Sequence, residues 1–271
     1  MDRLRRGPPF YDLAQQRWVP ADAGQASADG AAYAYSTLNT SNPGAPFQIH
    51  VVQVASASDR IFTVQPGLDS ANAIGAFVSD FDGTYVYFSV RQSKGLQVGV
   101  WRLDVRSGAA EQLSKESGVV QIRGGYAWLD RQDPRDPAPP QTGPGGPTSD
   151  SIVRLDLFTG EKIVWYYAPG KLVVMQGLDR FGIPIVAIGA APTYAADEIG
   201  LVASPGNPGV LIYGGGSLYF LGPQPDLGGR LWFGNDRGIY LYTPSTGLEK
   251  VFAYPGDVTL GVTVQPAGYC L

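Results

Sequence analysis

Short apolar stretches alternate with turns along almost the whole chain, most clearly over residues 229–254. Residues 231–233 and 239–242 are apolar and aromatic, and the segment 234–238 between them is Gly-Asn-Asp-Arg-Gly. Residues 244–247, Pro-Ser-Thr-Gly, form a second turn signal, and residues 248–254 follow as a third strand. Gly and Asn tolerate the positive φ angles that tight turns need. The pattern predicts three short antiparallel strands connected by tight turns.

The apolar spacing of a helix is missing from the sequence. No window of eleven or more residues carries apolar residues cleanly at i, i+3, i+4 and i+7. The chain is instead rich in Val, Tyr and Phe, which favour strands, and its 36 Gly and 22 Pro suit many tight turns. These features predict an all-β protein.

One kind of turn recurs at intervals of about 40 to 50 residues, which is the spacing of blade-like repeats. Residues 101–108, 153–160 and 240–247 each place an apolar strand before a polar turn that ends in Gly. The full series falls near Gln16, Ser58, Gly108, Gly160, Gly206 and Gly247. We interpret it as the turn between the third and fourth strands of a repeated unit.

A second series of turns interleaves with the first. Each member lies between two apolar stretches, and the segments are residues 27–30, 79–83, 123–125, 179–182, 226–229 and 265–268. Asp-Gly between alternating strands, as at Asp29-Gly30 and Asp82-Gly83, is a strong hairpin signal. The two series together predict six units of four strands each.

The chain starts and ends inside a unit. Residues 10–13 and 17–20 supply two outer strands, and residues 258–264 and 268–271 supply two inner ones. This offset predicts a six-bladed β-propeller of four-stranded antiparallel blades, closed by a blade shared between the N- and C-termini. We expect a single domain over residues 1–271, with a mobile Pro/Gly-rich insertion at residues 132–150.

Composition narrows the possible functions. A net charge of −4 with 16% charged residues does not favour nucleic-acid binding. The single cysteine, Cys270, rules out an internal disulfide and a Cys-based zinc site. There is no apolar run of 18 residues, and the basic residues 1–6 lead into Gly-Pro-Pro instead of an apolar signal segment. We expect a monomer that is cytoplasmic as the chain stands, or periplasmic or extracellular if a leader was removed.

Two motifs carry a resemblance to known propellers. Residues 27–35 and 80–88, in which Asp-Gly is followed by alternating aromatics, resemble the TolB-like six-bladed β-propellers with their WD40-like repeats. Residues 231–242 are similar to propeller modules of bacterial sensor ectodomains. The resemblance implies the propeller fold. It implies no single activity, because the family includes binding scaffolds, peptidase gating domains and lactonase-like hydrolases.

Catalytic and metal motifs are sparse. His50 is the only histidine, so a Ser-His-Asp triad or a His-rich metal site would have to use it. Strand alternation predicts instead that His50 is a partly exposed strand residue. Asp80-Phe-Asp82-Gly83 has the start of a calcium loop but not the later ligands, which favours a plain turn. We therefore predict no catalytic residue and no cofactor, with calcium unsupported.

Polar residues on the loops between second and third strands, and on the linkers between units, are the candidates for binding. They are Asn235, Asp236, Arg237, Asp69, Arg131 and Arg91. Our first hypothesis is a non-catalytic module that binds a protein or a small ligand on the top face of the propeller. The alternative is a lactonase-like hydrolase or lyase that uses carboxylates at the channel mouth, with or without a calcium ion.

Overall fold

Strands make up the regular structure of the protein. The computed structural model describes residues 10–12, 16–19, 21, 25–27, 29–65, 72–93, 97–134, 149–190, 196–207, 209–218, 221–226, 229–235 and 237–253. Within these ranges every regular element is a β-strand, which confirms the all-β prediction. No helix in the described part is long and apolar enough to cross a membrane.

The first half of the described chain forms three sheets, numbered in chain order. Sheet 1 has two strands, sheet 2 has three and sheet 3 has four, and the strands of each sheet follow in sequence. Their bounds are β1 Phe10–Asp12 and β2 Arg17–Val19; β3 Ala32–Ser36, β4 Phe47–Gln53 and β5 Asp59–Val64; β6 Ala73–Phe81, β7 Tyr85–Gln92, β8 Gln97–Asp104 and β9 Ala110–Ser117.

The second half forms three further sheets of four strands each, again in sequence order. Sheet 4 comprises β10 Val119–Arg123, β11 Tyr126–Arg131, β12 Ser151–Asp156 and β13 Lys162–Tyr167. Sheet 5 comprises β14 Lys171–Leu178, β15 Pro184–Ala190, β16 Ala196–Leu201 and β17 Val210–Leu218. Sheet 6 comprises β18 Leu221–Pro225, β19 Leu231–Asn235, β20 Gly238–Thr243 and β21 Gly247–Ala253.

Antiparallel pairing gives each four-stranded sheet two different ends. The strands of sheets 3, 5 and 6 pair antiparallel throughout. The turns between strands 1 and 2 and between strands 3 and 4 therefore share one end, which we call the turn end. The connection between strands 2 and 3 lies at the other, which we call the crossover end.

Apolar side chains on facing strands form two buried clusters. Sheets 2 and 3 contribute Ile49, Phe47 and Phe88 to the first, and sheets 5 and 6 contribute Ile185 and Phe233 to the second. Burying a side chain of this size contributes roughly 1.5–3 kcal/mol. Two compact units can be distinguished. The first contains sheets 2 and 3, the second contains sheets 5 and 6, and the strands of sheet 4 are divided between them.

The predicted turns between third and fourth strands are confirmed, and a carboxylate holds two of them. Asp104 Oδ1 accepts the N–H of Arg106 at 2.7 Å, and Asp156 Oδ1 accepts those of Phe158 and Thr159 at 2.8 and 2.9 Å. These bonds satisfy N–H groups that the turn leaves outside the ladder. The shared Leu-Asp before each turn in the sequence therefore has a structural cause.

Two of the turns between first and second strands use the same device. Asp179 Oδ1 accepts the N–H groups of Phe181 and Ile183, each at 2.8 Å. Asp82 Oδ1 accepts the N–H groups of Thr84 and Tyr85 at 2.8 and 2.6 Å. Four of the six predicted segments lie between the first and second strands of a sheet. Residues 27–30 follow only an isolated bridge at Ala26, and residues 265–268 lie outside the described residues.

Two parts of the predicted plan differ or lie outside the described chain. In the described part of the segment before residues 27–30, Ala26 makes an isolated bridge to Tyr33 in place of the expected first strand of sheet 2. The closing strands at 258–271 lie outside the described residues, so the sixth blade and the closure stay predictions.

We expect Asp179→Ala to lower the free energy of unfolding by about 1–2 kcal/mol, because it removes two bonds to turn N–H groups. Urea denaturation followed by tryptophan fluorescence measures this change. Asp179→Asn keeps an acceptor oxygen and should lose less than half as much. Equal losses in the two variants would show that the carboxylate does not act through the turn.

Candidate binding site at the crossover ends

Buried polar side chains concentrate at the crossover ends of sheets 4 and 6. Asp133, Ser149, Asp150 and Ser151 are buried where β11 connects to β12, and Asn235 is buried at the end of β19. Buried polar groups need hydrogen-bond partners, so their concentration at one end requires an explanation. At several turn ends, by contrast, a local carboxylate accepts the N–H groups of the turn.

Asn235 is a buried strand residue and not the exposed loop residue we predicted. Its exposed fraction is 0%, and it pairs with Gly238 across a hairpin whose loop is only Asp236 and Arg237. The predicted turn over residues 234–238 is therefore too long by three residues, because Gly234 also pairs in the ladder, with Ile239. Alternation alone could not show this, since Gly and Asn read as turn residues.

The buried Asn235 side chain fixes the hairpin. Its Oδ1 accepts the N–H of Arg237 at 2.8 Å, while its Nδ2 is buried without a partner among the described residues. Gly238 has φ +144°, and a Cβ there would lie 1.9 Å from the carbonyl oxygen of Phe252. The hydrogen bond from Arg237 to Asn235 and the close packing at Gly238, where only Gly fits, restrict the backbone of the hairpin loop. The exposed Arg237 side chain therefore projects from a backbone of fixed conformation.

The other predicted binding residues have different surroundings. Arg131 is half-buried at the end of β11, and Arg91 is half-buried on β7, paired with Gln97, so it is a strand residue and not a loop residue. Asp69 and Asp236 lie outside the described residues. Arg131, Asn235 and Arg237 belong to the second compact unit, whereas Arg91 belongs to the first. A direct bond joins only Asn235 and Arg237 of these four.

A network in the second unit anchors both ends of the Pro/Gly-rich insertion. Asp150 Oδ1 accepts the N–H of Asp133 at 2.6 Å, and the N–H of Asp150 donates to the carbonyl of Arg131 at 3.0 Å. Ser149 exchanges bonds with Val173 of β14, through its hydroxyl at 2.6 Å and its carbonyl at 2.9 Å. Asp133, Ser149 and Asp150, which the sequence places inside the insertion, are therefore hydrogen-bonded to the protein around them, while residues 135–148 of the insertion lie outside the described residues.

Asp130 is a second feature that the sequence analysis missed. Desolvation raises its pKa from the ordinary 3.8 to about 6, against the opposing effect of the N–H of Met175, which donates to Oδ1 at 3.1 Å. Asp80 in the first unit is similar: burial raises its pKa to about 6 although it accepts the N–H of Gly124 at 3.0 Å. The available signal was the Asp-Arg-Gln-Asp run of residues 130–133, where carboxylates precede the insertion.

His50 is buried, which corrects the expectation of a partly exposed residue. Its exposed fraction is 8%, its ring stacks on Tyr35 with centroids 4.6 Å apart, and its Nδ1 lies 2.8 Å from Asp59 Oδ2. Tyr35 pairs directly with His50 across the strands, which explains the burial. The described residues contain no group of three or more His, Cys, Asp or Glu placed to hold a metal ion.

Comparison with known proteins gives the fold. No family model matches the sequence. No curated protein matches it either. Similar solved structures include an oligogalacturonate lyase in complex with manganese, with a TM-score of 0.57 and 12% identity over 88% of this chain. TolB from Acinetobacter baumannii has a TM-score of 0.51 and 12% identity over 84% of this chain. A prolyl endopeptidase has a TM-score of 0.56 and 14% identity over 84% of this chain.

These likenesses are to parts of longer proteins. The matched region covers 65% of the lyase chain, 54% of the TolB chain and 35% of the prolyl endopeptidase chain. At such low identity they establish architecture and leave activity open. Together with the consecutive antiparallel four-stranded sheets, they show that the chain has a β-propeller fold.

The raised pKa of Asp130 makes stability depend on pH. A group whose pKa is higher in the folded state than in the unfolded state stabilises the fold below the unfolded value, and this contribution is lost as pH rises through the folded value. We expect the free energy of unfolding to fall between about pH 4 and pH 6. Asp130→Asn keeps the acceptor for Met175 and removes the charge, so it should be more stable than the native protein at pH 7.5 by about 1–3 kcal/mol.

Urea denaturation at pH 4 and pH 7.5 tests this expectation, and the two proteins should differ little at pH 4. Asp226→Asn is the control, because the pKa of Asp226 is shifted in the opposite direction. Although burial opposes it, bonds from Arg230 and Trp232 hold the pKa of Asp226 below its usual range, so this variant should lose stability at pH 7.5. A destabilised Asp130→Asn at pH 7.5 would contradict the account.

Proposed function

We propose that this protein is a non-catalytic binding module whose crossover ends contact a protein or a small ligand. The single observation that carries the proposal is the hairpin between β19 and β20, where the buried Asn235 holds the backbone of the exposed Arg237. A contact residue on a fixed backbone loses less entropy on binding than one on a loose loop.

The chemistry of Arg237 indicates what the partner offers at this point. A guanidinium donates up to five hydrogen bonds in a planar fork that fits carboxylate and phosphate groups. Arginine is also enriched among the residues that dominate binding energy at protein interfaces. We therefore expect the partner to present an acidic or acceptor-rich group, and Asp236 and Arg131 remain candidate neighbours in the contact.

The second candidate is an enzyme of the hydrolase or lyase class. Asp130 favours it, because a buried carboxylate whose pKa is near 6 is suited to general acid or base chemistry close to neutral pH. A similar solved structure is named as an oligogalacturonate lyase in complex with manganese. This class predicts that oligogalacturonate with Mn²⁺ releases unsaturated products, and that Asp130→Asn abolishes the release.

The test of the binding function begins with a thermal-shift screen of the native protein against acidic peptides and acidic sugars. For the strongest hit, we expect Arg237→Ala to weaken binding by tenfold or more while changing the free energy of unfolding by less than about 0.5 kcal/mol. Isothermal titration measures the affinity, and urea denaturation measures the stability.

Arg230→Ala is the matched control. Arg230 is an exposed arginine of the same sheet at its turn end, where its Nε lies 2.6 Å from Asp226 Oδ2. Its loss should leave the affinity for the hit unchanged. If Arg237→Ala binds like the native protein, or if Arg230→Ala weakens binding equally, the proposed role of the β19–β20 hairpin is wrong.

A further inference from the structure

Asp150 has a buried carboxylate oxygen that accepts no hydrogen bond from any described residue. It lies directly before β12, and its exposed fraction is 0%. Its Oδ1 accepts the N–H of Asp133 at 2.6 Å. Its Oδ2 is buried and accepts no hydrogen bond from any described residue. Within the described chain, this buried carboxylate therefore accepts a single hydrogen bond, from the backbone N–H of Asp133.

Hydrogen bonds hold the backbone at Asp150 in place. The N–H of Asp150 donates to the carbonyl of Arg131, and its carbonyl accepts the N–H of Ala168, both at 3.0 Å. On the preceding residue, the carbonyl of Ser149 accepts the N–H of Val173 at 2.9 Å. Three bonds to three different segments hold residues 149 and 150, so the carboxylate is a fixed part of the structure.

No described basic side chain neutralises Asp150. The nearest described basic residue in sequence, Arg154, places its guanidinium carbon 4.2 Å from the centroid of the Trp165 ring. Arg131 donates from Nη1 to the carbonyl of Asp130 at 3.3 Å, and no ion pair between described residues involves Asp150. Asp130 and Asp133 add further carboxylates close by in the chain. A desolvated carboxylate without a counter-charge is strongly unfavourable, so this position calls for a positive charge.

We propose that Asp150 Oδ2 binds a small monovalent cation, either a metal ion such as K⁺ or Na⁺ or the primary ammonium group of an organic ligand. A single unused carboxylate oxygen balances one positive charge. A carboxylate oxygen is a hard ligand, which suits alkali-metal cations and ammonium alike. The described residues offer no cluster of three or more His, Cys, Asp or Glu for a multivalent ion. This site is independent of the hairpin contact proposed above.

The experiment compares thermal unfolding midpoints in KCl, NaCl and ethylammonium chloride, with N-methyl-D-glucamine chloride keeping the ionic strength constant. A saturable rise in the midpoint of the native protein is expected, because a ligand that binds only the folded state stabilises it. A rise with K⁺ or Na⁺ identifies a metal ion, and a rise with ethylammonium alone identifies an organic ammonium. Asp150→Asn should weaken the apparent affinity at least tenfold.

Asp156→Asn is the matched control, since it removes the same charge from the other end of β12 and keeps a turn acceptor. It should respond like the native protein. No saturable rise in any of the three salts, or an equal response of Asp150→Asn, would overturn the proposal. If Asp150→Asn does not fold, the amide resonance of Asp133 in the native protein decides: a saturable shift with K⁺, Na⁺ or ethylammonium supports the site, and no shift rejects it.

Discussion

The structure depends on hydrogen bonds to the backbone N–H groups of its tight turns, which are not paired in the strand ladders. In an all-β chain of short strands these groups recur every few residues, and an unsatisfied one destabilises the fold by about 1–3 kcal/mol where it is buried. The side chains of four aspartates at the turn ends each accept two of them: Asp82, Asp104, Asp156 and Asp179. Strand register follows, because each turn fixes which residues face one another.

The two ends of the sheets differ in which polar groups they bury. At the turn ends, Asp82, Asp104, Asp156 and Asp179 accept turn N–H groups within a few residues of sequence, while the Ser79 hydroxyl is buried without a partner among the described residues. At the crossover ends, Asp150 Oδ2 and Asn235 Nδ2 are buried without a partner among the described residues. Binding sites commonly contain polar groups that have no partner within the protein and are held by a rigid scaffold. Because folding has already ordered these groups, little further entropy is lost when a ligand binds them.

The turn plan could be predicted from sequence because its signals are local. Asp-Gly and Leu-Asp before a Gly specify turns through bonds within a few residues, and the strands appeared where they were expected. The burial of His50, Asn235 and Asp150 could not be predicted from such local signals. Their burial depends on cross-strand and cross-sheet neighbours, such as Tyr35 beside His50 and Val173 beside Ser149, which are distant in sequence. Arg91 was misplaced for the same reason, since its pairing with Gln97 extends the strand past the expected loop.

The most direct test of the claim that ligands meet the crossover ends is hydrogen–deuterium exchange with and without the strongest ligand of the thermal-shift screen. The account predicts slower exchange in peptides covering residues 129–134, 149–153 or 233–240, and unchanged exchange at residues 178–184 and 226–231. Protection confined to the turn-end peptides would contradict it.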